Sequence, residues 1–503
     1  MLILAIMKAY PLAVIIVLLA LPGEGAQKPA ALCPFGVQLH SMSAGVEAHK
    51  AALNLCMQAG VKLIRDEILW DCVEPQKGVL KLDDDIVQNV ENTLKAGIEP
   101  VIVLGYGNPL YDDGNAPVSK EAAAGFARYC EFMARTFKGK VRYWEVWNEP
   151  NTERFWKLKP DPKGYAGLLK AAYKACKKGN PACTVIGVCT SGIDLAFVEE
   201  ALKQGAKDMD ALSVHPDGSE PSKMVEELTK LRQTMDEHGA KRVPIWITEV
   251  GLPTPDGMNP EKEARALIGA SVEAIAAGVS TVFWRWFGED GSPKPAYTAY
   301  RTMALVLDGA TYARSMYIGE SVRAHVFAKG ESNTAVLWCT AGVRSVTFDV
   351  GTNEVTVVDG LSAEGAALTP LNGMVTLTLT ETPSYLTRQA LIEQMNVLPG
   401  NPFQFLPEQA ALAAGEKNSV GIGAVNVGAE MMTGKVSILS DRVTPSTHDF
   451  SLSPGERTIL VSQIDVPASA PQNLLRIPAE VEVGGKICAR LQLLIKITPP
   501  AAH

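Results

Sequence analysis

Two glutamates stand where carboxyl chemistry could be done. Glu149 lies in Tyr143-Trp144-Glu145-Val146-Trp147-Asn148-Glu149-Pro150-Asn151, and Glu249, about a hundred residues later, in Trp246-Ile247-Thr248-Glu249-Val250-Gly251. Each follows an aromatic and β-branched run of the kind that forms a strand, so each is expected at a strand's C-terminal end. Two carboxyl groups in one polar cleft divide the work when their surroundings keep one protonated and the other ionised. Such a pair suits cleavage of a glycosidic bond. One group protonates the leaving oxygen; the other attacks the anomeric carbon, and water later opens the resulting ester. Asn148 can hydrogen-bond a substrate hydroxyl. Glu145, four residues before Glu149 on the same strand face, is expected to point inward as the buried partner of an arginine.

The elements that must position these residues are legible as alternation. Strands are expected at 34–40, 61–68, 99–107, 141–149, 184–192, 211–217, 244–251 and 281–288, with amphipathic helical stretches such as 46–59, 83–96, 119–138, 162–179, 221–239 and 260–277 between them. Several helices run out at glycine, as at Gly60, Gly97 and Gly278. Eight strands joined by helical crossovers predict an α/β fold, a (β/α)₈ TIM barrel, whose strand ends open into one mouth. An open doubly wound sheet would want a glycine-rich phosphate loop after its first strand, and Leu39-His40-Ser41-Met42 is not one. Beyond about residue 314 the segments become short, alternating and turn-bounded, which predicts C-terminal all-β sandwich domains. The expected division is a signal peptide over 1–26, the catalytic barrel over 27–312, one β-sandwich over 313–390 and a second over 391–503.

WEVWNEPN followed by WITEVG resembles the clan A retaining glycoside hydrolases, in which the acid/base glutamate follows an asparagine on strand four and the nucleophile ends strand seven. Arg65 in LIRDEILWDCVEPQKG, His215 in SVHP and Trp284 in FWRWFG add to the likeness, which is nearest to glycoside hydrolase family 39 and related bacterial exopolysaccharide hydrolases. It covers about residues 34 to 310 and implies retention of configuration, with carboxyl groups about 5 to 5.5 Å apart. It further implies that Glu149 is the acid/base and Glu249 the nucleophile, and that Arg65 orients Glu249 and keeps it ionised. His215 would bond near the nucleophile or the sugar, Trp284 would floor the sugar ring, and His40 would reach a hydroxyl. A catalytically silent carbohydrate-binding or matrix protein is the second reading, and the presence of both carboxylates and Asn148 argues against it; a transglycosylase, in which another sugar replaces water at the second step, would use the same residues.

Composition narrows the partners. Lys+Arg 47 against Asp+Glu 55 gives a net charge of −8, the wrong sign for a general nucleic-acid binder. A polysaccharide or oligosaccharide is the expected partner. Lys8, the apolar run Leu12–Leu21 and the small residues Gly23–Ala26 read as an export signal, and the run is too short for a stable membrane span. The protein is therefore expected outside the cytoplasm. Nine cysteines include Cys176 and Cys183, which bracket a Lys-Lys-Gly-Asn-Pro turn and could be joined in an oxidising compartment. No CxxC pair or zinc-like Cys/His spacing occurs, so neither metal nor cofactor is expected.

Overall fold

The computed structural model describes residues 34–205, 208–218, 221–252, 259–285, 295–351, 353–389, 396–397, 401–415, 417–467 and 474–498. The expected export signal lies outside them, as do Cys33 and Trp286. Strands β1 (Phe35–Gln38), β2 (Leu63–Leu69), β3 (Glu99–Gly105), β4 (Tyr143–Val146), β5 (Thr184–Ser191), β6 (Ala211–His215), β7 (Ile245–Val250) and β8 (Val279–Arg285) close into a parallel barrel in sequence order. β8 returns to β1 through the pairs Phe35↔Val282 to Gln38↔Arg285.

Around the barrel run α1 (Val46–Gln58), α2 (Trp70–Val73), α3 (Asp84–Lys95), α4 (Lys120–Thr136), α5 (Glu153–Trp156), α6 (Pro162–Gly179), α7 (Leu195–Gly205), α8 (Pro221–Glu237), α9 (Pro260–Ala276) and α10 (Pro295–Val306). Their starts are set by side chains: Asp83 accepts from Asp85 N–H, Ser119 from Ala122 N–H, Asp161 from Lys163 N–H and Asn259 from Glu261 N–H. Gly60, Gly97 and Gly278 follow α1, α3 and α9 in the left-handed conformation, at φ of 74°, 73° and 89°.

Alternation along the strands sorts the barrel's side chains. Ile64, Ile68, Ile102, Leu104, Trp144 and Val146 face outward into the main core. Inside, Tyr143, Trp246 and Phe283 form an aromatic layer, with ring centroids 5.3 and 6.2 Å apart. Gly36 belongs to that layer because a Cβ there would lie 2.5 Å from the Phe283 ring. One step nearer the strands' C-terminal ends the layer turns polar, with Arg65, Glu145 and Ser213 buried in contact. The mouth is thus built over a plugged barrel.

The C-terminal part begins with β9 (Thr311–Ser315), β10 (Val322–Lys329), β11 (Ser332–Cys339), β12 (Arg344–Asp349), β13 (Val355–Asp359), β14 (Gly365–Leu368), β15 (Met374–Leu379), β16 (Ser384–Gln389) and β17 (Asn396–Val397). The sheet β14-β13-β16-β11-β10-β9 faces β12 and β15 over Val326, Leu337, Phe348, Leu377 and Leu386. There follow β18 (Phe403–Leu406), β19 (Gln409–Ala413), β20 (Lys417–Val425), β21 (Met432–Ile438), β22 (Val443–Thr444), β23 (Thr447–Leu452), β24 (Arg457–Asp465), β25 (Leu474–Val483) and β26 (Lys486–Thr498). They enclose a separate core that includes Phe405, Ile422, Val436, Ile477 and Leu493. The two sandwiches are not independent, because β15 pairs in parallel with β26 through Thr376↔Ala489 and Leu377↔Arg490. One eight-stranded sheet therefore runs through both. Phe327, Val336, Trp338 and Tyr385 join the barrel's own core cluster, so the first sandwich packs on the barrel.

Among the described residues no helix is long and apolar enough to cross a membrane. Cys176 and Cys183, which could have been joined, are both free thiols. Packing of α6 on α4 instead brings the Cys176 thiol to the carbonyl of Cys130, 4.0 Å away.

Candidate active site

Both glutamates reach the mouth through departures from regular strand. β4 ends at Val146, and the chain then turns through left-handed backbone at Trp147 (φ 71°) and Glu149 (φ 45°). Bulky residues rarely adopt that conformation, and it persists only where surroundings over-determine it. Here Trp147 is wedged against Tyr106, Phe126 and Trp156. Its N–H donates to the Leu104 carbonyl at 2.9 Å, and that of Glu149 to the Cys189 carbonyl at 2.9 Å. β5 is itself irregular at that point, with Val188 and Cys189 at φ 76° and 49°. On β7, regular alternation would send Glu249 outward with Ile245 and Ile247. A register irregularity between Ile247 and Val250 turns it inward beside Thr248, the use to which a bulge near a site is commonly put.

The side chains meet in one connected network. The Arg65 guanidinium, buried at the centre, donates from Nε to Glu145 (2.5 Å), from Nη2 to Asn148 Oδ1 (2.7 Å) and from Nη1 to Glu249 Oε2 (3.3 Å). Ser213 Oγ donates to the other oxygen of Glu145 at 2.7 Å. His215 stands 3.3 Å by Nδ1 from Glu149 Oε1 and 2.9 Å by Nε2 from Thr248 Oγ1. Arg285 donates to Glu249 Oε1 from Nη2 (2.9 Å) and Nε (3.2 Å), and also pairs with Asp217. Asp217 is pinned by accepting from Gly251 N–H at 2.9 Å. At the rim His40 lies 3.4 Å from Glu67.

These contacts set the charges. Burial works to raise the Glu249 pKa, but His215, Arg65 and Arg285 outweigh it and hold the carboxyl below the usual range. Glu145 is likewise held low against its burial, first by Arg65 and then by His215. Asp217 is pushed up by burial, which Arg285 only partly offsets. The His40 imidazole is raised by its bond to Glu67.

The structure brings Arg65, Asn148, Glu149, His215 and Glu249 together. His215 faces Glu149 and Thr248 rather than Glu249 directly. His40, 62% exposed, sits at the rim. Trp284 is a correction: it is not brought to the cleft. On β8 Arg285 points into the mouth, so its neighbour Trp284 points outward, where it lines a small cavity with Val250, Ala266, Ala270 and Pro221. Two site residues were missed in the sequence, Arg285 and Asp217. A charged residue inside the aromatic run FWRWFG, at the end of the eighth strand, was the available signal for Arg285. Asp217, two residues after His215, carried a weaker one.

The architecture is shared with solved structures. A family 39 glycoside hydrolase from the gut symbiont Bacteroides cellulosilyticus WH2 is 25% identical, with a TM-score of 0.62 covering 71% of this chain and 81% of that one. The relatives are glycoside hydrolases. A monomeric β-xylosidase from Caulobacter crescentus CB15 (TM-score 0.53, 16% identity, 72% of this chain and 96% of that chain) and a glucosidase from Croceicoccus marinus (TM-score 0.54, 14% identity, 67% and 92%) share the fold. The aryl-phospho-β-D-glucosidase BglA of Bacillus subtilis (strain 168) is 30% identical over 115 residues, 21% of this chain. The chain spans only 23% of that curated relative's length. No family model matches the chain. The resemblance to clan A and family 39 carried by the two glutamate motifs thus has its counterpart among the solved neighbours.

Proposed function

We propose that this protein is a retaining glycoside hydrolase acting on a poly- or oligosaccharide, with Glu149 as general acid/base and Glu249 as nucleophile. The observation that carries the reading is the linkage of both glutamates into one mouth: Asn148 through Arg65 to Glu249, and Glu149 through His215 to Thr248. An ionised Glu249 is what nucleophilic attack requires, and its cationic neighbours favour that form. In the first step a Glu249 oxygen bonds to the anomeric carbon while the bond to the leaving oxygen breaks and Glu149 gives that oxygen its proton. In the second, Glu149 takes a proton from water, whose oxygen replaces Glu249 at the same carbon. We further propose export, on the strength of the apolar run before Ala26; N-terminal sequencing of protein recovered outside the cytoplasm should begin near that residue.

Incubation with a panel of plant and bacterial glycans, read by new reducing ends and by product masses, tests the activity. Glu249→Gln should abolish turnover. Glu149→Gln should lose roughly 10²- to 10⁴-fold on substrates that need leaving-group protonation. Binding without new reducing ends would favour a silent carbohydrate-binding protein, and products longer than the substrate a transglycosylase.

A further inference from the structure

Both oxygens of Glu249 are occupied by guanidinium groups, and the two groups differ in freedom. Arg65, on Oε2, is 3% exposed and fixed by Glu145 and Asn148. Arg285, on Oε1, is 45% exposed and divides its Nη2 between Glu249 and Asp217. Oε1 accepts two bonds from Arg285 and has no lone pair free for an anomeric carbon until that donor gives way, whereas Oε2 accepts one, from Arg65, which fixes the carboxylate in place; Arg285 has both room and a second carboxylate to move to. Asp217 cannot follow it, since Gly251 N–H holds the opposite oxygen.

We propose that Arg285 is a positioning residue shared between Glu249 and Asp217: it holds the Glu249 carboxylate ionised in the resting enzyme, withdraws from Oε1 as that oxygen attacks, and is retained by Asp217 while the ester exists. This rests on the reading of Glu249 as nucleophile. As the Oε1–carbon bond forms and the leaving group departs with the proton of Glu149, the carboxylate loses its charge. Without Asp217, Arg285 would then stand over a neutral ester with no carboxylate bonded to it, and the newly ionised Glu149 as its remaining anionic neighbour. When water opens the ester the charge returns and Arg285 goes back to it. The charged and titratable groups of the mouth around Glu249 are His40 from the β1 end, Arg65 from β2, Tyr106 after β3, Glu149 after β4, His215 from β6, Asp217 after it and Arg285 from β8. Arg285 and Asp217 therefore pull its titration in opposite directions.

The test is the titration of Glu249 in the free protein, followed by ¹³C NMR of glutamate-carboxyl-labelled chain and assigned by the signal lost in Glu249→Gln. Arg285→Met should raise the midpoint by about one unit or more, as loss of an opposite charge in contact does. Arg285→Lys should restore part of the shift. Asp217→Asn should lower it, because Arg285 is no longer shared. On the most active glycan of the panel the acidic limb of kcat/KM should move with the same signs, and Asp217→Asn should lower kcat more than kcat/KM because its loss falls on the covalent intermediate. Midpoints unmoved in Arg285→Met, or moved the same way in both variants, would overturn the inference even if Glu249→Gln is inactive. An active Glu249→Gln would instead overturn the reading on which it rests.

Discussion

Replacing Glu145 by Gln is the sharpest probe of how the site is held together, because this carboxylate touches no cleft surface. It is fully buried, with Arg65 Nε at 2.5 Å on one oxygen and Ser213 Oγ at 2.7 Å on the other. Glutamine keeps the shape and removes the charge, which leaves the buried Arg65 guanidinium with Glu249 as its remaining anionic partner. Breaking a buried pair from one side costs about 3–5 kcal/mol, since the stranded charge is not returned to water. With a domain of this size losing about 2 °C of melting temperature per kcal/mol, the barrel should melt roughly 6–10 °C lower. The pH dependence has a definite sign. A carboxyl whose folded pKa is depressed contributes stability that is present above its unfolded pKa, about 4.3, and is lost as pH falls through the folded value. The gap between wild type and Glu145→Gln should therefore be full at pH 7 and shrink on acidification below about 4. Thermal melts by circular dichroism across pH 3 to 8 measure it. Equal melting temperatures at pH 7, or a gap that widens in acid, would refute the assignment of Arg65 and Glu145 as a load-sharing buried pair.

Other outcomes follow from the same geometry. Trp284→Ala should cost about 3–5 kcal/mol of stability by emptying a core position while leaving KM within about twofold; a large rise in KM with unchanged melting would return the indole to the substrate. His215→Asn removes the imidazole that stands 3.3 Å from Glu149 and bonds Thr248, and should lower kcat by about tenfold or more with little change in melting temperature. An unchanged kcat would make His215 a packing residue.

The barrel was legible because eight alternating runs separated by helical stretches admit few closures, and the two glutamate motifs stood at the ends of the fourth and seventh. The burial of Glu145 against an arginine was legible too, from a two-residue period on β4. What escaped lies where period carries no information. In Val282-Phe283-Trp284 every residue is apolar, as in strands buried on both faces, so the sequence does not say that Phe283 fills the barrel and Trp284 leaves it. With the parity hidden, Arg285 was hidden as well. The left-handed turns at Trp147 and Glu149 are tertiary decisions made by the packing of Trp147 and the bond to β5, and the bulge that turns Glu249 inward is one made in the pairing of β7 with β8. The β15–β26 pairing joins segments more than a hundred residues apart, and nothing local in either strand announces it.

The proposed double displacement requires Glu249 to become covalently bonded to sugar. Inactivation with a 2-deoxy-2-fluoro glycoside of whichever sugar the glycan panel identifies, followed by peptic digestion and tandem mass spectrometry, tests it directly. One sugar per chain on Glu249 is the expected result. A label on another residue, or first-formed product of inverted configuration, would contradict it.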